Sequence, residues 1–302
     1  MEELELSIVI PHYNDPGGLA ECLASLEAQT YDKRKFEVVI CDNNSDIPVT
    51  GLEAYDLNVT LVVETKRGAG PARNAGVELA KGKFLAFTDC DCLIDHDFVK
   101  NGLSHMREEG LRSVMAGEVV MYSEYDRPNS IEAFDIVYST NQENYAAKNE
   151  AATGNLWTGL AFFKEVGSFL SGVAEDTNWC HRAFAAGATF HYGGDCIVKH
   201  PARATLEELR AKWKRQSAMT FNVWKEKSGF KQKWPVLCVA TAISVIPHSL
   251  KAFRSRKLSH FSDKIKAILV LIWCRFFRAK VMLGFYFSGL DHIDPNKYWT
   301  NA

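Results

Sequence analysis

Asp89-Cys90-Asp91 sets two carboxylates two residues apart, directly after the apolar run Phe84 to Thr88. In an extended chain alternate residues point the same way, so both can aim at one point. A hard divalent cation such as Mn2+ or Mg2+ takes one or two carboxylates and fills the rest of its shell with phosphate oxygens and water. The pair therefore suits a metal-bridged diphosphate. An imidazole can complete such a site, and His200, between the short run Cys196 to Val198 and Pro201, is the candidate.

A second group of residues offers positive charge. Lys66 to Asn74 reads Lys-Arg-Gly-Ala-Gly-Pro-Ala-Arg-Asn and feeds a helix. A helix N-terminus presents free N–H groups to anions, and Lys66, Arg67 and Arg73 add formal charge. The spacing matches neither the phosphate loop of NTPases nor the dinucleotide fingerprint, which disfavours both classes. Glu175-Asp176 opens a further helix, where acids either complement the dipole or serve as a general base.

These residues need elements that bring them together. Leu6 to Ile10, Phe36 to Cys41, Leu61 to Val63 and Phe84 to Thr88 read as short buried strands. Between them, helices are expected around Leu19 to Leu26 and over Pro71 to Lys81. Strands alternating with helices imply an α/β, largely parallel sheet covered on both faces, with ligands at the strands' carboxyl ends. Those ends carry Tyr13 and Asn14, then Asp42 to Ser45, then Lys66 and Arg67, then Asp89 and Asp91. A helix is expected from Glu175 to Ala186 with Trp179, Ala183 and Phe184 inward. Another should start at Thr205, capped with Glu208, and run to about Lys225.

The charge is unevenly spread. The net charge of −2 divides at Lys199 into −16 before it and +14 from it onward. Trp234 to Pro247 is uncharged, and Ala267 to Cys274 and Val281 to Phe287 are apolar runs separated by Arg275, Arg278 and Lys280. None reaches the roughly 20 apolar residues that span a bilayer. Amphipathic helices with a basic border suit the interfacial plane of an anionic membrane, or a partner subunit. The chain is therefore expected to comprise a catalytic domain, 1–203, and a helical, basic, amphipathic C-terminal region, 204–302, that associates with membrane or makes a homo-oligomer. No nucleic-acid partner is expected. Eight scattered cysteines without a Cys-x-x-Cys pair, and an opening Met-Glu-Glu that runs directly into a strand, suggest reduced thiols and a cytoplasmic location, peripheral on the inner membrane.

Taken in order, Ser7 to Asn14 with its Pro-His-Tyr-Asn end, Val38 to Ser45, Gly70 to Gly76, Asp89 to Asp91 and Glu175 to Arg182 resemble the motif series of the inverting glycosyltransferase family 2. The resemblance covers about Ser7 to Arg203. It implies a GT-A fold, a Rossmann-like sheet flanked by helices, and transfer of a sugar from a nucleoside diphosphate donor, UDP-sugars favoured. It further implies that Pro11, Tyr13 and Asp42 receive the nucleoside, with Asn14 and Asn44 in the same turns. Lys66 and Arg73 would lie by the phosphates, and Asp89 and Glu175 on the donor side. Asp89, Asp91 and His200 would hold the metal, and Asp176 would be the catalytic base. Asn155 and Trp157 are expected to line the acceptor side. Processive synthases of the family carry Gln-x-x-Arg-Trp, and Trp213, Arg215 and Gln216 do not fall in that order, so addition of a single sugar to a glycan or lipid-linked acceptor is favoured. A nucleotidyltransferase would open on a more glycine- and arginine-rich loop. A non-catalytic scaffold would show gaps in the carboxylate set.

Overall fold

The computed structural model of the protein describes residues 4–298. Its described residues form an eight-stranded sheet in the order β3-β2-β1-β4-β7-β6-β8-β5. The strands are β1 (Leu6–His12), β2 (Phe36–Asp42), β3 (Val59–Val63), β4 (Phe84–Phe87), β5 (Leu93–Ile94), β6 (Ser113–Tyr122), β7 (Leu156–Gly159) and β8 (Thr189–Pro201). β3, β2, β1 and β4 are parallel neighbours, and the sheet turns antiparallel at β7. The parallel half arises from the alternation seen in the sequence: β1 and β2 are almost wholly buried, as strands covered on both faces must be.

The crossovers are α1 (Pro16–Glu27) and α2 (Ala69–Leu79); α3 (Phe98–Glu109) follows β5. α2 lies directly on the sheet, because a Cβ at Gly76 would fall 2.3 Å from Cys41 Sγ and 2.8 Å from Val9 Cγ1. Beyond β6 come α4 (Ser130–Tyr138), α5 (Gln142–Ala146), α6 (Leu160–Val166) and α7 (Glu175–Ala185). Trp179 and Ala183 of α7 face the core as expected, with Cys180 beside them, whereas Phe184 is 54% exposed. Five residues turn a helix by about 140° beyond a full turn, so Phe184 cannot share the face of Trp179.

The chain divides into two compact units. The first holds the residues up to Val120, Thr140–Ser171 and Glu175–His200; the second holds Met121–Ser139, Gly172–Ala174 and the chain from Pro201. The sequence placed the division at 203/204 and left all of 121–139 in the catalytic domain. One tie of this segment to the later chain is Asp135 on α4. It is fully buried and ion-paired to Arg203 Nη1 at 3.1 Å and Lys212 Nζ at 3.2 Å. Burial pushes its carboxyl up, but those two cations outweigh burial and hold it below the usual value.

The second unit continues with α8 (Leu206–Lys225), α9 (Phe230–Ile243), α10 (Val245–Arg254) and α11 (Phe261–Phe287). The Thr205–Glu208 capping box is present. Phe221, Trp234, Cys238 and Met282 form this unit's core, with Trp234 Nε1 donating to Met282 O at 3.0 Å. The stretch Phe230–Arg254 is long and apolar enough to cross a membrane by length and composition, contrary to the sequence reading. That reading counted only the uncharged run, whereas the helical stretch extends through lysine-bearing ends on both sides. Val236, Val239, Ile243, Ile246 and Leu250 are exposed along it at spacings of three and four, one face of a helix.

Candidate active site

The carboxyl ends of β1 and β2 are tied to each other. Their register sets His12 opposite Asp42, and His12 Nδ1 lies 3.1 Å from Asp42 Oδ1, which also accepts from Ser45 Oγ. Both His12 and Asp42 are buried. Asn14 and Asn44 take the left-handed conformation, φ 51° and 60°, which asparagine tolerates better than most residues. Asn14 Nδ2 donates to Asp46 Oδ2 at 2.9 Å, and Asn14 Oδ1 accepts from Asp46 N at 2.8 Å. Asn14 thus shapes the turn, while Asn44 stands exposed at its tip. Tyr13, after Pro11, is half-buried under Arg67, whose guanidinium donates to the phenol oxygen at 3.3 Å.

Asn43 was not singled out in the sequence, yet it fixes the loop into α2. Its Nδ2 donates to Glu64 O and Lys66 O at 2.9 Å each, and its Oδ1 accepts from Gly68 N at 2.7 Å. Gly68, at φ 124°, is the N-cap of α2 and adopts a conformation closed to residues with a Cβ. Lys66 is exposed on this loop.

Arg73, one turn into α2, is 3% exposed. Its Nη2 donates to Asp89 Oδ1 at 2.6 Å and its Nη1 to Glu175 Oε1 at 3.3 Å. Burial pulls the guanidinium's pKa down, and the Asp89 and Glu175 charges more than restore it, so it is held above its ordinary value. Beside Glu175, the half-buried Asp176 is pushed up to about 6, first by burial and then by the Glu175 charge. A carboxylate near 6 is poised as a general base around neutral pH.

β5 pairs antiparallel with β8, Leu93 opposite Lys199, and this brings His200 to the Asp89–Asp91 turn. His200 Nε2 lies 3.6 Å from Asp91 Oδ1 and 4.0 Å from Asp89 Oδ2. Ligand atoms of Asp89, Asp91, Cys92 and His200 all lie within 4.8 Å of one another. Asp91 Oδ1 is buried with no hydrogen-bond partner, and burial raises the pKa of its carboxyl. A buried carboxylate oxygen with no hydrogen-bond partner, beside an imidazole, has the chemistry to ligate a cation. Asp89, Asp91 and His200 therefore fit a hard divalent ion. Cys92 does not: burial, then the Asp89 and Asp91 charges, hold its thiol protonated far above the usual range, and sulfur suits softer metals.

Asn155 and Trp157 do not line an acceptor site. Both side chains are fully buried. Asn155 Nδ2 donates to Glu118 O at 3.0 Å and Cys196 O at 2.8 Å, and Asn155 Oδ1 accepts from Trp157 Nε1 at 2.9 Å. The indole packs on Phe98 at 4.9 Å between centroids. Their polar groups are consumed in joining strands. What this segment does bring to the site is backbone, since a Cβ at Gly154 would lie 3.4 Å from Asp89 Oδ2.

The profile described as Glycosyl transferase family 2 matches residues 7–166. Glycosyltransferase AglE of Haloferax volcanii is 31% identical over 220 residues, 69% of this chain and 71% of that protein. Poly(ribitol-phosphate) beta-N-acetylglucosaminyltransferase TarS of Staphylococcus aureus is 30% identical over 110 residues, 35% of this chain, so the match spans only 19% of that relative. The match to the Poly(ribitol-phosphate) beta-glucosyltransferase of Bacillus spizizenii spans 15% of that protein. The crystal structure of S. aureus TarS 1-349 in complex with UDP-GlcNAc has a TM-score of 0.53 at 17% identity. It covers 94% of this chain and 92% of its own. At that identity the likeness is one of fold, the GT-A architecture with a helical C-terminal region.

Proposed function

The chain belongs to glycosyl transferase family 2, and from that premise we propose that it adds a single sugar, with inversion, from a nucleoside diphosphate sugar to a glycan or lipid-linked acceptor in cell-surface glycan synthesis. The observation that carries this reading is the convergence of Asp89, Asp91 and His200, with Asp91 Oδ1 buried and open. A divalent cation, Mn2+ or Mg2+, held there would supply positive charge to the leaving diphosphate. That TarS was crystallised with UDP-GlcNAc favours a UDP-sugar.

The chain's own residues divide the remaining work. Tyr13, with Pro11 and Asp42, offers a half-buried ring and a carboxylate to the nucleoside. Arg73 holds Asp89 and Glu175 in place from beneath. Asp176 takes the proton from the acceptor hydroxyl as that oxygen forms its bond to the anomeric carbon, while the bond from that carbon to the diphosphate oxygen breaks on the opposite face. Lys66, exposed on the loop before α2, faces the phosphates.

The enzyme acts at the cytoplasmic face of the membrane, with the exposed stripe of α9 and α10 in the interfacial plane and its lysines toward the headgroups. Replacing Val239 and Ile246 with Asp should abolish flotation of the full chain with vesicles. Undiminished flotation would remove the membrane assignment, and a change in oligomeric state instead would give the stripe to a second copy.

The donor class is tested by calorimetric titration with UDP, GDP, dTDP and CDP, each with Mn2+ and with EDTA. One nucleotide should bind, and only with metal. Equal binding with EDTA would overturn the metal-dependent reading.

A further inference from the structure

In the second unit most buried charges have partners. Asp135 holds Arg203 and Lys212, and Asp263 holds Arg127 and Lys266. Two cations break this pattern. Arg275 and Arg278, half-buried one turn apart on α11, both reach over the indole of Trp213 on α8, with guanidinium carbons 6.0 and 5.1 Å from the ring centroid. Among the described residues neither guanidinium has an ion pair or a hydrogen bond, and the Nε atoms of both are shut off from solvent.

Trp213 Nε1 is likewise buried with no hydrogen-bond partner. The Cys274 thiol beside it is at most a weak acceptor. One turn further along the same face of α8, the hydroxyl of the fully buried Ser217 is also unpartnered. The open groups at this place are thus almost all donors, and the buried carboxylate of Asp135 is already shared by two other cations.

Stacking on the indole offsets part of the cost of burying a guanidinium, but it supplies no acceptor. Burial pulls Arg275 below its ordinary value and, with the Arg275 charge, brings Arg278 down to about 10. Neighbouring arginines with free forks match the tetrahedral oxygens of a phosphate, which is acceptor-only and carries the missing charge. We propose that Trp213, Arg275 and Arg278 form a binding site for a phosphate group, borne either by a lipid headgroup or by a soluble phosphate. None of these residues is assigned to the donor diphosphate, and phosphate binding here does not depend on that assignment.

The test uses the full chain and two double variants of equal charge loss: Arg275→Gln/Arg278→Gln, and Lys81→Gln/Lys164→Gln, both exposed in the first unit. Binding is measured by calorimetry to inorganic phosphate and by co-sedimentation with phosphatidylcholine vesicles with and without phosphatidic acid. Wild type should bind at least one phosphate source. The first double variant should lose on the order of tenfold or more in affinity, and the second about twofold or less.

Capture of inorganic phosphate assigns a soluble ligand; capture of phosphatidic acid vesicles alone assigns a headgroup. Arg275→Lys/Arg278→Lys keeps the charge and loses the fork, so it too should bind more weakly. The thermal midpoint of the Gln double variant should stay level or rise, because it removes charges that have no partner. Failure of wild type to bind either source, an equal loss in both double variants, or a marked fall in that midpoint would overturn the proposal.

Discussion

Arg73 Nη2 lies 2.6 Å from Asp89 Oδ1, and the side chain that makes this bond is almost completely buried. Because the same guanidinium also reaches Glu175, one cation orients carboxylates from two separate elements, the metal turn and the base-bearing helix. Arg73→Met should therefore leave Asp89 and Glu175 facing each other unscreened. Loss of one partner from a buried pair costs roughly 3–5 kcal/mol, read by urea denaturation, and transfer activity should fall at least about 100-fold. Arg73→Lys should lie between the two, since an ammonium cannot grip both carboxylates as a planar fork does. A Met variant as stable and active as wild type would remove Arg73 from this role.

Asp91 gives a prediction that needs no turnover. Its Oδ1 is buried without a partner, and burial raises its carboxyl's pKa, so the ionised form is a liability to the metal-free fold. A group held up in this way costs stability above its unfolded value near 3.9. Asp91→Asn should leave the metal-free thermal midpoint level or higher. Mn2+ at about 100 times its dissociation constant should stabilise wild type by about 2.7 kcal/mol and do little for the variant. Equal stabilisation of both by Mn2+ would mean that the ion binds elsewhere.

Asp176 should set the acid limb of the rate profile. Its pKa, raised to about 6, means that the protonated, inactive form accumulates as pH falls through that value. The rate should be fully developed above about 7 and drop close to tenfold per unit well below 6. Asp176→Asn should lower kcat by about 100- to 10,000-fold with nucleotide affinity kept, and its residual rate should lack the limb. A limb near 6 that survives in Asp176→Asn would assign it to another group.

The strand ends were legible because each buried strand of a parallel sheet is an apolar run that stops at polar residues, as Phe84 to Thr88 stops at Asp89. Partners across the fold were not. The His12–Asp42 contact depends on the register of β1 against β2, and Asn43 looks like any turn residue until its three loop contacts are seen. The place of His200 beside the Asp89–Asp91 turn depends on β5 pairing with β8, which the short run Cys196 to Val198 could suggest but not fix. Asp135 finds its cations 68 and 77 residues later, a distance over which no local pattern speaks, so the reach of the second unit back to α4 was invisible.

Asn155 and Trp157 test the most direct correction. An amide and an indole in a loop-like stretch suggest ligand contacts, but here the amide joins Glu118 O and Cys196 O and accepts the indole N–H. Trp157→Phe keeps an aromatic ring against Phe98 and leaves Asn155 Oδ1 unpaired, at a cost of about 1–3 kcal/mol. Asn155→Ala strands an indole donor and two carbonyls together, and should cost more, roughly 2–4 kcal/mol. Under conditions where Trp157→Phe remains folded, its KM for acceptor should match that of wild type, because no surface that an acceptor could touch has changed. A raised acceptor KM with unchanged stability would return these two residues to the acceptor side.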